Sequence, residues 1–162
     1  MRAAIVLNGP INAGKSTVGA RLAALLRSAV FIDGDDHDAP DDAPLAERIV
    51  AAWERIERLL ATSEADHLVI AYPVEQESYA RLRRSCELRG AELVVVTLAP
   101  PLEIALADRG GRILSAGERQ RIVEMYEEGY TRREFSDFIL DNGGMSVEEA
   151  AAAISDFIET RL

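Results

Sequence analysis

Apolar positions along the chain alternate between two patterns. Some form short unbroken runs, and others recur every three to four residues over longer stretches. The runs are Ala3–Leu7, Val30–Asp33, His67–Tyr72, Leu93–Leu98 and Phe138–Asp141, the last closed by Asn142-Gly143-Gly144 and the third stopped by Pro73. Runs of this length, bounded by Gly, Pro or acidic residues, predict strands, and Ala3–Leu7 and Leu93–Leu98 are of the kind buried on both faces. Between them, Val18, Leu22, Leu25 and Leu26 mark the stripe of a first helix, and Ile49, Ala52, Trp53, Ile56 and Leu60 that of a long helix begun after Pro44. A third helix is predicted from about Glu75 to Arg89, ending at Gly90 as a C′ residue. A short helix follows at Leu102–Ala107, after Pro100-Pro101, and another at Ala116–Glu128. Ser146 and Glu149 form a capping box at the start of the last helix, whose stripe is Val147, Ala150, Ala151, Ile154, Phe157 and Ile158.

Strands alternating with helices predict an α/β fold: a five-stranded parallel sheet with helices on both faces, in three layers. The chain shows no internal repeat and no linker, so residues 1–162 are expected to form a single domain. Ligands of such sheets bind beyond the C-terminal ends of the strands. That edge collects the segment after Leu7, Asp33 and Asp35, Tyr72 and Pro100.

The segment after Leu7 changes the picture most. Gly9-Pro10-Ile11-Asn12-Ala13-Gly14-Lys15-Ser16-Thr17 fits the phosphate-loop pattern G-x-x-x-x-G-K-[ST], and it lies between a predicted strand and a predicted helix. In that setting backbone N–H groups converge on phosphates and the helix dipole adds positive potential. Lys15 reaches the β and γ oxygens, and Ser16 can ligate Mg²⁺. Gly9, Pro10, Asn12, Ala13, Gly14, Lys15, Ser16 and Thr17 are therefore the expected nucleotide contacts. Of the 18 Lys+Arg residues, all but one are arginines, and the exception is Lys15. A compact, mobile ammonium suits a triphosphate, where a guanidinium fork would suit a fixed planar partner.

Composition narrows the classes. With 48% apolar and 28% charged residues the chain is globular, and no apolar run approaches membrane-spanning length. No secretory signal pattern precedes the first strand, and the single cysteine, Cys86, falls on an apolar helical face with Tyr79 and Leu82. A core thiol and a cytoplasmic location are expected. The net charge of −10 argues against nucleic acid as a partner, and any anionic ligand must be held by local positive charge. Nothing in the pattern specifies an oligomeric state.

Phosphoryl transfer needs held phosphates, a metal, a group at the acceptor hydroxyl, and positive charge for the equatorial oxygens. Asp33, at a strand end beside the loop, is the candidate to hold Mg²⁺ with Ser16. Asp35 is the candidate to accept or hydrogen-bond the acceptor's proton. Arg109 and Arg112 flank Gly110 and Gly111 and are the candidates to close over the γ-phosphate, in a lid around residues 108–121. Arg119, Arg121, Arg132 and Arg133 compete for that role. Asp36, Asp38, Asp41 and Asp42 are expected as surface charges, and His37 as a solvated loop side chain.

Gly14-Lys15-Ser16-Thr17-Val18-Gly19-Ala20-Arg21-Leu22, followed by Phe31-Ile32-Asp33-Gly34-Asp35, resembles shikimate kinase, and more loosely the gluconate kinases. The close resemblance runs from Met1 to about Pro40, and the rest agrees in layout. It implies a P-loop NTPase fold of the nucleoside-monophosphate-kinase kind, with ATP and Mg²⁺ as cofactors and a small-molecule hydroxyl as acceptor. It also implies a magnesium-side role for Asp33, an acceptor-side role for Asp35, and lid arginines where Arg109 and Arg112 stand. One departure is plain. Shikimate kinases carry a glycine-rich turn after the third strand, and here that position is Ala71-Tyr72-Pro73-Val74. The acceptor pocket is thus expected to be rebuilt, with Tyr72 lining it. Leu7-Asn8-Gly9 with Ala13-Gly14-Lys15-Ser16 also resembles chloramphenicol phosphotransferase, which keeps an antibiotic acceptor open.

Other readings fare less well. A regulatory GTPase needs an N-K-x-D guanine reader, which a chain with Lys15 as sole lysine cannot contain. Leu114-Ser115-Ala116-Gly117-Glu118-Arg119-Gln120-Arg121 echoes the L-S-G-G-Q signature of transporter ATPases. However, Asn142 stands where their water-activating glutamate would follow Asp141, and the loop at Gly9 leaves no room for their preceding sheet. Nucleoside and nucleotide kinases stay open, and Arg48, Arg55 or Arg81 facing the acceptor pocket would point to a phosphorylated acceptor. A non-catalytic ATP-binding module is the alternative from another class.

Overall fold

The computed structural model describes residues 1–109 and 111–162; Gly110, one of the two expected lid hinges, lies outside the described residues. Five strands, β1 (Ala3–Asn8), β2 (Ala29–Asp33), β3 (His67–Ala71), β4 (Glu92–Leu98) and β5 (Phe138–Leu140), form one sheet in the order β2-β3-β1-β4-β5. All four pairings are parallel. Six helices connect or follow them: α1 (Lys15–Leu25), α2 (Leu45–Thr62), α3 (Gln76–Leu88), α4 (Leu102–Ala105), α5 (Ala116–Glu127) and α6 (Val147–Arg161).

The period of two along each strand divides the core into two layers. Ile5, Leu7, Val69, Val94 and Val96 point to one side and meet Val18 and Leu22 of α1 and Ala150, Ala151, Ile154 and Ile158 of α6. Ala4, Val6, Leu68 and Ile70 point to the other side and meet Trp53, Ile56 and Leu60 of α2 and Leu82 and Cys86 of α3. The expected three-layer α/β architecture is present, and Cys86 is the buried core residue its helical spacing predicts. Among the described residues no helix is long and apolar enough to cross a membrane.

Local chemistry fixes the element ends. The side chains of Ser146 and Glu149 reciprocate at the start of α6, and Ser115 and Glu118 make the same box at α5. The predicted third helix starts and stops one residue inside its expected limits, because Glu75 and Arg89 act as its caps, with Gly90 beyond at φ 61°. Three stripe positions differ from expectation: Leu25 is 44% exposed, Ile49 40% and Val147 36%. Leu25 ends α1, Ile49 faces an open cavity described below, and Val147, the first residue of α6, borders another. His37 also departs from its expected solvated state. It is half-buried, and its Nδ1 is shielded from solvent without a hydrogen-bond partner among the described residues. Arg55 and Arg58 of α2 pair with Asp36 and Asp38, which draws the acidic loop and His37 against that helix.

Asn8 closes the C-terminal end of the central strand and is fully buried. Its Nδ2 donates to Thr97 Oγ1 at 3.0 Å and to the Tyr130 carbonyl at 3.1 Å, and its Oδ1 accepts the Val74 N–H at 2.8 Å. One carboxamide thereby ties β1 to β4, to the segment after β3 and to the turn after α5. Asn8→Leu should cost about 2–4 kcal/mol, since it strands the buried Val74 N–H and a Tyr130 carbonyl in an apolar setting. Urea unfolding with an unchanged m-value checks this, and a loss under about 0.5 kcal/mol would mean that water takes over those bonds.

Candidate active site

The strand–loop–helix junction at β1 and α1 is shaped by backbone that few residues can follow. Gly9 has φ 148°, and a Cβ there would stand 2.7 Å from the Leu98 carbonyl oxygen, so the loop must start with glycine. Gly14, at φ 98°, is the N-cap of α1 and brings no side chain to its amides. No acidic residue occupies the first turn of α1, which leaves the positive end of its dipole uncompensated. Asn12 holds the left-handed conformation at φ 63°, and its Nδ2 donates to the carbonyls of Ala105 and Ala107 at 2.9 and 3.0 Å. From the other side, Asn142 Nδ2 donates to the Ala13 carbonyl at 2.9 Å. The cradle is therefore pinned from both flanks by amide side chains.

Lys15 arches back over this loop, and its Nζ donates to the Pro10 carbonyl at 2.7 Å. Burial pulls the ammonium pKa down to about 8; Asp35 and then Asp33 oppose that shift, and Arg112 adds to it. Both aspartates follow from the end of β2. Asp33 Oδ1 accepts the Asp35 N–H at 3.0 Å, while Arg55 donates to the Asp33 carbonyl at 3.2 Å. Gly34 sits under the ring of Tyr72, where a Cβ would come within 2.0 Å of Cδ2. A side chain at 34 would thus displace either Tyr72 or the aspartate turn. Tyr72 in turn meets Trp53 edge-on at 5.2 Å, and burial followed by the Asp35 charge raises its phenol pKa.

These groups enclose a cavity of about 450 Å³. Asn12, Gly14, Lys15, Ser16 and Thr17 line its floor, Asp35 and Tyr72 one wall, and Arg109 and Arg112 the other. Gly9, Pro10 and Ala13 are buried behind that floor and shape it without facing it. Asp33 is not among the residues that line the cavity; its Oδ1 holds the Asp35 amide, and its charge acts on Lys15. Arg109 Nη1 donates to the Asn12 carbonyl at 3.1 Å, which joins its segment to the loop, and Arg112 Nη2 donates to Glu118 at 2.5 Å. Residues 109 and 112 also form an isolated antiparallel bridge.

Three of the four competing arginines are engaged elsewhere, and Arg132 lines a separate cavity beside Arg133. Arg119 donates to the Leu106 carbonyl and to Asp108, which ties α5 to the segment after α4. Arg121 pairs with Glu124 and Glu128, and Arg133 lies over the Tyr130 ring at 4.0 Å. A second cavity of about 580 Å³ adjoins the first and shares Ile11, Asp35, Tyr72 and Pro73 with it. Asp35 thus stands where the loop-lined cavity meets the larger one.

Three site residues carry no sequence signal comparable to the loop. Asn142 noted only as the absence of a glutamate, reaches the cradle through its amide, and its Oδ1 is buried with no partner among the described residues. A polar residue ending an apolar run was the available signal for Asn8. Trp53 fits a core stripe and gives no hint that it also forms a cavity wall.

No protein-family model matches this sequence, and no curated protein sequence matches it. Solved structures do. A gluconokinase from Sinorhizobium meliloti 1021 superposes with a TM-score of 0.68 at 20% identity, over 99% of each chain. A shikimate kinase from Acinetobacter baumannii, in complex with shikimate, gives 0.67 at 24% identity, over 99% of this chain and 95% of that one. The tunicamycin resistance protein of Deinococcus radiodurans gives 0.67 at 19% identity, over 98% and 96%. In each case the similarity spans essentially the whole chain, and the five-stranded parallel sheet with its strand-to-helix phosphate loop is a P-loop NTPase fold of the kind these kinases share.

Proposed function

We propose that this protein is an ATP- and Mg²⁺-dependent phosphotransferase that moves the γ-phosphate of ATP to a hydroxyl group of a small molecule. One observation carries the reading: Lys15, Arg109, Arg112 and Asp35 face a single cavity, and Asp35 alone of these also borders the adjoining one. A module that only held nucleotide would have no use for a carboxylate at that boundary. Fold likeness to gluconate and shikimate kinases agrees with this class.

The residues divide the work by their chemistry. Loop amides and the α1 dipole hold the β-phosphate, and Lys15 spans the β and γ oxygens. Ser16 and Asp33 are hard oxygen donors and fit Mg²⁺, which when bound neutralises charge on those oxygens. Among the described residues no group of three or more His, Cys, Asp or Glu could hold a metal, which suits an ion held by one or two protein oxygens, phosphate and water. Arg109 and Arg112 stabilise charge on the equatorial oxygens and exclude water. Asp35 orients the acceptor hydroxyl and accepts its proton as the new oxygen–phosphorus bond forms and the bond to the leaving ADP oxygen breaks.

A coupled ADP-release screen tests this, with Mg·ATP and shikimate, gluconate, nucleosides, nucleoside monophosphates and hydroxylated antibiotics as acceptors. ADP formation that depends on one alcohol, with phosphate recovered on it, is the expected result. Tight ATP binding with no acceptor-dependent ADP formation anywhere in the panel would favour the non-catalytic module.

A further inference from the structure

The adjoining cavity separates acceptor classes by charge. A phosphorylated or carboxylated acceptor needs a free cation, and Arg48, Arg55 and Arg81 are the residues whose sequence position made that plausible. Arg48 donates to the Ala43 carbonyl and its charge reaches the Tyr72 phenol, but it does not line the cavity; Arg55, spent on the Asp33 carbonyl and Asp36, does not line it either. Arg81 does line it, but its Nε and Nη2 are both bonded to Glu57 at 2.9 Å. Arg121, the other cation on the wall, is held by Glu128 through both terminal nitrogens, at 2.8 and 3.2 Å. Against these neutralised arginines the wall presents Asp35, Glu54, Glu75 and Glu77. Glu75 accepts the Tyr130 hydroxyl, and no arginine pairs with Glu54 or Glu77 among the described residues.

The rest of the lining is apolar. Trp53, Tyr72 and Met125 form the deep part, and α2 adds Leu45, Ile49 and Val50, exposed by 63%, 40% and 55% respectively. Three large aliphatic side chains on consecutive turns of one helix, open beside a carboxylate-lined mouth, gain most from an apolar ligand that covers them. A volume of about 580 Å³ lies within the range of pockets that bury a drug-sized molecule.

We infer that the acceptor is a bulky, largely apolar alcohol that carries no anionic group, and that Glu54 and Glu77 exclude anions from the cavity beside Asp35. This rests on the phosphotransferase reading for the word acceptor, but the binding preference itself does not require turnover. An anion entering here meets unpaired carboxylates on a chain of net charge −10, whereas an uncharged or amine-bearing ligand does not.

The test uses Trp53, the only tryptophan in the chain, whose emission reports occupancy without ATP. Three ligands on one skeleton serve as probes: 2-amino-1-phenylpropane-1,3-diol (cationic), its N-acetyl derivative (neutral) and its N-succinyl derivative (anionic). The first two should shift Trp53 emission and bind at least about 10-fold more tightly than the third. In Glu54→Gln/Glu77→Gln that gap should fall below about 3-fold. Ile49→Arg should weaken the neutral ligand and improve the anionic one. Tighter binding of the succinyl compound, or no emission change with any of the three, overturns the inference. So does a chain that sediments as a dimer and becomes monomeric in Ile49→Arg, because the aliphatic patch is then an interface between copies. The two readings fail separately. Binding as expected with no ADP formed sinks phosphotransfer alone, and ADP release driven by shikimate or a nucleoside monophosphate sinks the charge preference alone.

Discussion

Lys15→Ala is expected to lower phosphoryl transfer by at least about 10³-fold while leaving the chain folded. The ammonium is the only lysine in the molecule and sits at the centre of the cradle, 2.7 Å from the Pro10 carbonyl. Arg109 and Arg112 line the same cavity but are already engaged, Arg109 by the Asn12 carbonyl and Arg112 by Glu118, and neither is seated in the loop as Lys15 is. Its folded state carries a signature that makes the prediction specific. Burial holds the pKa at about 8, against 10.5 for an exposed lysine. Between those two values the unfolded chain binds more protons than the folded one, so stability rises with pH across the window from about 8 to 10.5. The gain is at most about 3 kcal/mol, since the half-buried side chain still touches solvent. Lys15→Ala should abolish that rise and should be no less stable than the parent at pH 7. In the parent, ATP affinity should fall as pH climbs through 8, because the neutral amine gives up its attraction for the γ-phosphate. Urea titrations at pH 7, 8.5 and 10, beside calorimetric ATP binding at the same values, measure both. Wild-type turnover in Lys15→Ala would remove the cradle from consideration as the site.

The same contrast between local and distant interactions decides what the sequence could reveal. Strands covered on both faces need apolar residues at every position, so β1, β3 and β4 stand out as runs without any reference to their neighbours. The phosphate loop is contiguous, and its chemistry is complete within nine residues. Ser146 and Glu149 cap α6 across one turn, again a local bond. Interactions between distant segments leave no such trace. Asn8 meets residues 89 and 122 positions away, and Asn142 reaches back 129 positions to Ala13. Helical spacing finds an apolar face but not what covers it, which is why Ile49 looks like core and proves to be cavity wall. The arginines are chemically identical in sequence and are sorted only by their partners: Arg119 by Leu106 and Asp108, Arg121 by Glu128, and Arg109 and Arg112 by the cavity they line. Asp33 and Asp35 are two residues apart, and the turn that links them depends on Gly34 lying beneath Tyr72.

Asp35→Asn separates acceptor chemistry from nucleotide binding. The amide keeps the shape of the carboxylate, and the position of residue 35 is fixed from outside its side chain, because its backbone N–H is held by Asp33 Oδ1. What is lost is the ability to accept a proton from the acceptor hydroxyl, together with one negative charge near Lys15. The first loss is expected to reduce kcat by about 10²–10⁴-fold. The second removes the largest opposing influence on the Lys15 shift, so the ammonium pKa moves further down. Assayed at pH 6, two units below the parent's Lys15 pKa of about 8, ATP affinity should change by less than about 3-fold, a difference below 1 kcal/mol. Asp33→Asn provides the contrast: it should raise the Mg²⁺ concentration needed for half-maximal rate and leave the acceptor KM near its parent value. Initial rates against acceptor and Mg²⁺, with calorimetric ATP affinity for both variants, resolve the two roles. If Asp35→Asn lost turnover and ATP affinity in equal proportion, the carboxylate would belong to the nucleotide side of the site. The larger cavity would then border no catalytic group at all, and its apolar wall would need an occupant other than the acceptor.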